Sequence, residues 1–277
     1  MTNPVIVRCV EGVLFATLNI PATRNALAPE VVAVLTDIVA QAEADVGIRA
    51  LVLRGAGGTF SAGGNVGNFQ ARLDADVGHE DPVAARNRQF GHFMTRLAAL
   101  PVPVIAAVDG PAMGGGMGLA CAADVVLATR AARFALSETS LGIIPAQIAP
   151  FVVGRLGAAL TRRLGLTGER LDGVAAEAIG LVDQLADDAA GLDELIAEWL
   201  TRIGRCGPHA NRQFKALVAR CGQTPVDSLL DGASHQFAQC MRTEGTEGIA
   251  AFREKRDARW VTRFDAGIVC AAQSTGV

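Results

Sequence analysis

Two glycine-rich turns, each after an apolar run, restrict the folds open to this chain. The first, GTFSAGGNVGNF (58–69), follows RALVLRGAG, and the second, DGPAMGGGMGLA (109–120), follows PVIAAVDG. Glycine adopts positive φ and lets the backbone approach a ligand closely, because it has no Cβ. The first amides of a helix lack internal partners and bind anions. Two such turns after neighbouring strands therefore predict two N–H groups directed at one oxygen, an oxyanion hole.

The same glycines have a purely structural explanation, which is tight packing of a helix against a sheet. For a single Gly-Gly turn that explanation is at least as good as the functional one. A dinucleotide-binding fingerprint is excluded, because it requires GxGxxG after the first strand. Here Gly114-x-Gly116 is followed by Leu119 where glycine or alanine is required, and the turn lies in the middle of the chain.

The remaining pattern predicts an α/β core followed by a helical region. Apolar runs around Glu11-Gly12 predict a β-hairpin over residues 5–20, and RALVLRGAG, PVIAAVDG and DVVLAT read as buried strands. Strands that alternate with helices indicate parallel pairing through right-handed crossovers. We therefore expect a core over residues 1–204 and a helical region over 205–277. The predicted helices span 29–44, 83–100, 191–205, 208–221, 225–240 and 245–259, and the arginines along 155–170 are expected on a solvated helix face.

Composition argues against several classes of function. The chain has 277 residues, of which 50% are hydrophobic, and a net charge of −3, which gives no reason to expect nucleic acid as a partner. Six scattered cysteines without a CxxC pair, and four histidines without ligand spacing, argue against a metal site and favour a reduced intracellular protein. No secretory signal and no membrane-spanning apolar stretch is seen, so a soluble cytoplasmic protein is expected.

Several segments resemble one known family. FSAGGNV, PVIAAVDGPAMGGGMGLACAADVVLAT and ARFALSETSLGIIP, followed by LTGERLDGVAAEAIGLVD and TEGTEGIAAFREKRDARW, are similar in order and spacing to the crotonase (enoyl-CoA hydratase/isomerase) superfamily. The resemblance implies a crotonase-like (ClpP/crotonase) fold of repeated ββα units. It also implies a C-terminal helical region that mediates trimerisation, and hence a homotrimer or hexamer.

The resemblance implies an acyl-CoA thioester as substrate, with coenzyme A as part of it, so that no separate cofactor is needed. By motif position, the backbone amides of Gly64 and Gly115 would hold the thioester enolate. Glu138 corresponds to the second of two glutamates found in typical hydratases and would act as acid and base. The first of those glutamates is missing, because its position is Gly118. Apart from the motif, Glu138 would read as a helix-capping or ion-paired carboxylate.

The implied CoA-binding positions lie in the loop TRNAL (23–27), with Arg24, Ala26 and Leu27, and at Ala62. Lys255 resembles a basic residue that reaches CoA, in some members that of the neighbouring subunit. Arg24 is equally well explained as an exposed loop arginine. Two further positions are less specific: Phe252 either lines the acyl pocket or packs a helix face, and Asn65 stands where an aspartate is usual.

The segment after Glu138 also departs from the common pattern. Typical hydratases read Ile-Pro-Gly-x-Gly-Gly-Thr-Gln, whereas this chain reads IPAQIAP over 144–150. This version, together with GGGMG, looks like the single-glutamate, glutaconyl-type CoA hydratases. Gln147 would position a water or a substrate carboxylate, or would satisfy loop backbone. The sequence thus predicts hydration of an α,β-unsaturated acyl-CoA, with a Δ3-Δ2-enoyl-CoA isomerase and a non-catalytic acyl-CoA-binding paralogue as alternatives.

Overall fold

A computed structural model describes residues 3–64 and 81–274 of the chain. Nine strands are found in this part, and they form a six-stranded and a three-stranded sheet. In chain order they are β1 (Val5–Val10), β2 (Val13–Leu18), β3 (Ala50–Gly55), β4 (Val104–Val108), β5 (Pro111–Met113), β6 (Val125–Thr129), β7 (Arg133–Ala135), β8 (Arg170–Asp172) and β9 (Gln184–Ala186). The large sheet has the order β1-β2-β3-β4-β6-β9 and the small one β5-β7-β8.

Ten α-helices cover both faces of the large sheet and the C-terminal region of the described chain. They are α1 (Pro29–Ala44), α2 (Pro82–Ala98), α3 (Gly115–Ala122), α4 (Ala149–Thr167), α5 (Gly173–Ala178), α6 (Ala189–Gly204), α7 (Pro208–Arg220), α8 (Val226–Arg242), α9 (Glu244–Glu254) and α10 (Ala266–Gln273). Short 3-10 turns lie at Pro21–Thr23 and Glu138–Leu141. No described helix pairs the length with the apolar character that crossing a bilayer requires.

The predicted α/β architecture is confirmed in its main features. β1 and β2 form the antiparallel hairpin, and β2, β3, β4, β6 and β9 pair in parallel. The predicted helices over 29–44 and 208–221 are found with nearly the same bounds. The prediction of a helix to residue 259 is wrong: α9 ends at Glu254, because Lys255 adopts a left-handed φ of 54°. The small sheet and α10 are absent from the sequence interpretation, because segments of three to eight residues give too little periodicity.

Strand β2 shows why the sheet carries helices on both faces. All six of its residues are buried. Leu14, Ala16 and Leu18 join a core that includes α1, α2 and α3, whereas Val13 and Phe15 join a second core with α6 and α10. This division follows from the period of two along a strand. A continuous apolar run such as VLFATL therefore fits a strand with a layer of helices on each side.

The C-terminal helices are fastened to the sheet at two places. α10 packs against α6 and against β1 and β2. On α7, the ammonium of Lys215 is paired with Asp124 and donates to the carbonyl of Val102 at 3.0 Å, next to the start of β4. Burial lowers the pKa of Lys215, and the neighbouring Asp124 opposes that shift. The boundary near residue 204 stays a prediction.

Replacing Lys215 is expected to loosen α7 from the core. Lys215→Ala leaves the Val102 carbonyl without its donor, and leaves Asp124 with the Val104 amide as its remaining donor, in a largely buried place. We therefore expect a loss of about 1–2 kcal/mol in the free energy of unfolding. Urea unfolding measures it. The matched control is Arg130→Ala, which removes an ion pair with Asp187 whose side chains are 58% and 88% exposed. That change should cost less than about 0.5 kcal/mol, and equal losses in the two variants would contradict the buried role of Lys215.

Candidate active site

The two glycine-rich turns lie side by side. The amide of Ser61 donates to the carbonyl of Pro111 at 3.0 Å, and the amide of Met113 donates to the carbonyl of Ser61 at 2.9 Å. The segment after β3 thus runs parallel to β5. A Cβ on Gly63 would lie 2.5 Å from the Met113 carbonyl oxygen and 3.1 Å from the Gly115 nitrogen. Only glycine permits so close an approach of the two backbones, and this approach brings Gly64 and Gly115 into one region.

Each of the three consecutive glycines faces a different neighbour. A Cβ on Gly114 would lie 2.7 Å from Oε1 of Glu138. One on Gly115 would lie 3.0 Å from Cδ1 of Leu27, and one on Gly116 would lie 2.6 Å from the carbonyl oxygen of Ser61. Gly114 also has a φ of 48° and a ψ of −115° as N-cap of α3. Close packing therefore explains the absence of a side chain at each of the three glycines, and the oxyanion role of Gly115 stays a prediction.

The Gly115 amide has no partner inside its own helix, because Gly115 is the first residue of α3. Within residues 3–64 and 81–274, no hydrogen bond is formed by the amide of Gly115 or by that of Gly64. Gly64 has open space where a Cβ would stand. Both amides are thus available to a ligand in the cleft that they line.

Glu138 lies against Gly114 at the start of the 3-10 turn after β7. Its Oε2 is buried and has no hydrogen-bond partner in the described part of the chain. Burial raises the pKa of the Glu138 carboxyl above its ordinary value, against a smaller opposing effect of its own backbone amide. A carboxyl group in such surroundings exchanges a proton more readily near neutral pH than an exposed one.

One cleft, with a volume of about 1010 Å³, is lined by most of the expected site residues. They are Arg24, Leu27, Ala62, Gly64, Gly115 and Glu138. Ala26 does not line it: this loop residue is buried, at 6% exposure. Lys255 does not line it either, and follows α9 on the surface. A contact of Lys255 with CoA bound to a neighbouring subunit stays a prediction.

Asn25 organises the loop that borders the cleft, and sequence reasoning missed it. Its side chain accepts a hydrogen bond from the Ile20 amide at 2.9 Å and donates to the carbonyls of Ala56 at 2.9 Å and Thr59 at 2.7 Å. The backbone carbonyl of Asn25 accepts from the Ser61 hydroxyl at 2.7 Å. Asparagine inside TRNAL, at a φ of 54°, was the available signal, because asparagine tolerates left-handed backbone.

Asn87 on α2 and Gln147 in the loop before α4 form a polar pair in the cleft, and the sequence did not reveal this contact. The side-chain Nε2 of Gln147 donates to the side-chain Oδ1 of Asn87 at 2.9 Å, and both residues line the cleft. Gln147 therefore bonds a side chain and leaves the loop backbone to other partners. Arg170 also lines the cleft from β8, so the expectation of a solvated helix face is wrong for this residue.

Two further expectations have clear outcomes. Phe252 is 85% exposed, so within this chain it neither lines the cleft nor packs a helix face. Asn65 lies outside the described residues. Among the described residues, no group of three histidine, cysteine or acidic side chains is placed to hold a metal ion.

The comparisons with known proteins agree with this geometry. The family model described as enoyl-CoA hydratase/isomerase matches residues 8–263. The mitochondrial enoyl-CoA hydratase domain-containing protein 2 of Bos taurus is 34% identical over 91% of this chain and 85% of its own length. The 1,2-epoxyphenylacetyl-CoA isomerase of Escherichia coli is 32% identical over 89% of this chain and 94% of its own length.

A solved structure shows the same fold. An enoyl-CoA hydratase/isomerase from Marinobacter aquaeolei superimposes with a TM-score of 0.90 at 40% identity, over 94% of this chain and 99% of the other. The crotonase-like fold expected from the motifs is thereby confirmed. This chain belongs to the enoyl-CoA hydratase/isomerase family, within the crotonase superfamily.

Proposed function

We propose that this protein is an enoyl-CoA hydratase, which adds water across the α,β double bond of an acyl-CoA thioester. The observation that carries the proposal is the buried carboxyl of Glu138, whose Oε2 has no partner among the described residues. It lies against Gly114, next to the unpartnered amide of Gly115. An acid–base group thus stands beside two hydrogen-bond donors in a family whose name states this chemistry.

The reaction uses the two amides for the charge that develops on the substrate. The thioester oxygen accepts hydrogen bonds from the N–H groups of Gly64 and Gly115. When a water oxygen bonds to Cβ, the π electrons move toward Cα and the thioester oxygen becomes an enolate oxygen. Donors fixed beforehand at that point favour the transition state, and the loss of one typically costs about 10²–10³ in rate.

Glu138 moves the protons in both halves of the reaction. Its carboxylate takes a proton from the attacking water, and the resulting carboxylic acid then gives a proton to Cα on the same face. The C–C double bond is replaced by one C–O and one C–H bond, and Glu138 returns to its starting state. The raised pKa supports this role, because the group must hold the proton between the two steps.

The CoA part of the substrate would be bound by the loop over 23–27 and by Ala62, which precedes Gly63 in the first glycine-rich turn. Arg24 is exposed on the cleft rim, where its charge suits a phosphate group. Leu27 and Ala62 line the same cleft, and Ala26 is the buried residue of the loop. Because CoA belongs to the substrate, the proposed reaction needs no further cofactor. A branched or glutaconyl-type acyl group is the proposed substrate class, supported by the polar pair of Asn87 and Gln147.

A Δ3-Δ2-enoyl-CoA isomerase is the second candidate. Gly118 stands where typical hydratases have a glutamate, and one carboxyl suffices to move a proton between Cα and Cγ. The non-catalytic paralogue is the weaker alternative, because burying an unpaired carboxyl costs stability that a mere binding protein has no reason to bear. We further propose a cytoplasmic location, on the sequence argument alone.

Glu138→Gln is expected to abolish hydration without loss of binding. The amide retains the shape of the carboxyl but cannot take a proton, so turnover of 2-enoyl-CoA should fall by about 10²–10⁴. Chromatographic product analysis over short, long, branched and glutaconyl-type thioesters measures it, with acyl-CoA affinity measured by calorimetry. Hydroxyacyl-CoA from 2-enoyl substrates supports the hydratase, and 2-enoyl-CoA formed from 3-enoyl substrates supports the isomerase.

The control for this experiment is Glu169→Gln. Glu169 is paired with Arg163, and the side chain of Glu169 is 41% exposed. The turnover of this variant should equal that of the wild type. If Glu138→Gln retains full turnover, another residue carries the proton and the proposed mechanism is wrong. If the wild type binds acyl-CoA but converts none of the substrates, the protein is a non-catalytic acyl-CoA-binding paralogue.

The stability of the protein should depend on pH through Glu138. Since burial raises its folded pKa, the ionised carboxyl is penalised in the folded state above that pKa. Below the ordinary glutamate pKa of about 4.3 the group is protonated in both states and the penalty vanishes. Glu138→Gln should therefore raise Tm at neutral pH, and the gain should disappear as the pH is lowered. Thermal unfolding from pH 4 to pH 8 tests this, and a gain that grows in acid would refute it.

We propose a homotrimer or hexamer, formed through the C-terminal helices. Large apolar side chains are exposed on three of these helices: Phe214 on α7 at 66%, Phe237 on α8 at 69% and Phe252 on α9 at 85%. Exposed aromatic residues in this number are typical of an interface between chains. This arrangement would also place Lys255, at the end of α9, near a neighbouring subunit.

Light scattering coupled to gel filtration is expected to give the mass of three or six chains. Phe237→Glu should shift the protein toward the monomer, because it introduces a charge into the apolar contact. Leu166→Glu is the control, since Leu166 is 78% exposed near the end of α4, outside these helices. A monomeric wild type, or equal dissociation of both variants, would contradict the proposal.

A further inference from the structure

Gly118 lies directly against Ile148. A Cβ on Gly118 would lie 2.3 Å from Cγ2 of Ile148 and 2.6 Å from its Cβ. Both distances are far shorter than van der Waals contact, and they involve the stiff, branched part of the isoleucine rather than its flexible end. No side chain fits at position 118 while isoleucine occupies position 148 with this backbone.

The Glu138 carboxyl contacts α3 one turn earlier, at its N-cap Gly114. The Gly118 amide donates to the Gly114 carbonyl at 2.9 Å, so the two glycines are one helical turn apart, a rise of about 6 Å. The Glu138 carboxyl lies on Gly114 and the Ile148 side chain lies on Gly118. The carboxyl and the branched hydrocarbon are therefore neighbours along α3. Ile148 is 3% exposed and belongs to the lining of the cleft.

Isoleucine at this position contradicts the local rules of helix formation. Ile148 is the N-cap residue of α4, and it makes no side-chain capping bond. Serine, threonine, aspartate and asparagine are preferred at an N-cap, and isoleucine is among the least favoured. A residue that breaks a local rule is usually selected for a contact elsewhere, and here that contact is the one with Gly118.

We propose that Ile148 is a positioning residue for acid–base catalysis: it fills the volume that a side chain at position 118 would need, and it covers the helix face beside the Glu138 carboxyl with hydrocarbon. Position 118 is thereby prevented from presenting a second carboxyl. The inference rests on the proposed function for the role of Glu138, whereas the packing of Gly118 against Ile148 is independent of any reaction.

The packing is tested by thermal unfolding of Gly118→Ala in three backgrounds. In the wild type it should lower Tm by about 3–8 °C, as overpacking does in a chain of this length. In the Ile148→Gly background it should cost nothing, because the opposing atoms are gone. In the Ile148→Ala background it should still lower Tm, because the Cβ of residue 148 remains 2.6 Å away. No cost in the wild type, or equal relief by alanine and glycine, would overturn the proposal.

The catalytic part is tested with two aliphatic variants of matched character. Ile148→Val keeps Cβ and Cγ2, the two atoms nearest to Gly118, and should retain at least about half of the wild-type kcat. Ile148→Leu keeps the carbon number but moves the branch, and should lower kcat about tenfold or more with KM changed less than about twofold, because the hydrocarbon one helical turn from the Glu138 contact is displaced.

The outcomes separate this inference from the proposed function. Equal kcat values for the valine and leucine variants, or a loss confined to KM, would overturn the role of Ile148 even when the packing result holds. Full turnover in Glu138→Gln would instead overturn the proposed function, while the unfolding temperatures of the Gly118 and Ile148 variants would still report on the contact.

Discussion

The close approach of two backbone segments determines the rest of the site. Residues 61–64 and 111–116 are hydrogen-bonded side by side, and they meet where Gly63 faces Met113 and Gly116 faces Ser61. At both places a Cβ would lie 2.5–2.6 Å from a carbonyl oxygen, so any other residue would push the segments apart. This contact brings the Gly64 and Gly115 amides into one cleft. It also leaves Gly114 as the floor on which the Glu138 carboxyl lies.

Burial of the Glu138 carboxyl destabilises the fold locally, and the surrounding core offsets this loss of free energy. Glu138 is held with one carboxyl oxygen buried and without a partner among the described residues, which is unfavourable for an ionised group. The same burial raises its pKa and so prepares it for proton transfer. Helix α3, which carries Gly115, packs against β4, and β4 is buried along its whole length. Rigid elements of this kind hold catalytic geometry better than loops do.

Local features of the chain were predictable, whereas contacts between distant segments were not. The strands are continuous apolar runs and α1 has a clear helical period, so their positions could be predicted closely. The glycine turns indicated the candidate site because two of them follow neighbouring strands, where a single turn would be explained equally well by packing. Asn25 bonds residues more than 30 positions away, and Gln147 bonds Asn87 across 60 positions. Nothing in the neighbourhood of either residue in the sequence encodes its partner.

Two departures from the family pattern, 30 positions apart, become one structural feature in the fold. Gly118 stands at the position where typical hydratases have a glutamate, and Ile148 stands at a position where their pattern has glycine. Since these positions touch, only one of them can carry a side chain with this backbone. A glutamate at 118 requires glycine at 148, and isoleucine at 148 requires glycine at 118. The missing carboxyl is therefore not an isolated loss, because the Ile148 side chain, just before α4, occupies the volume that a side chain at position 118 would need.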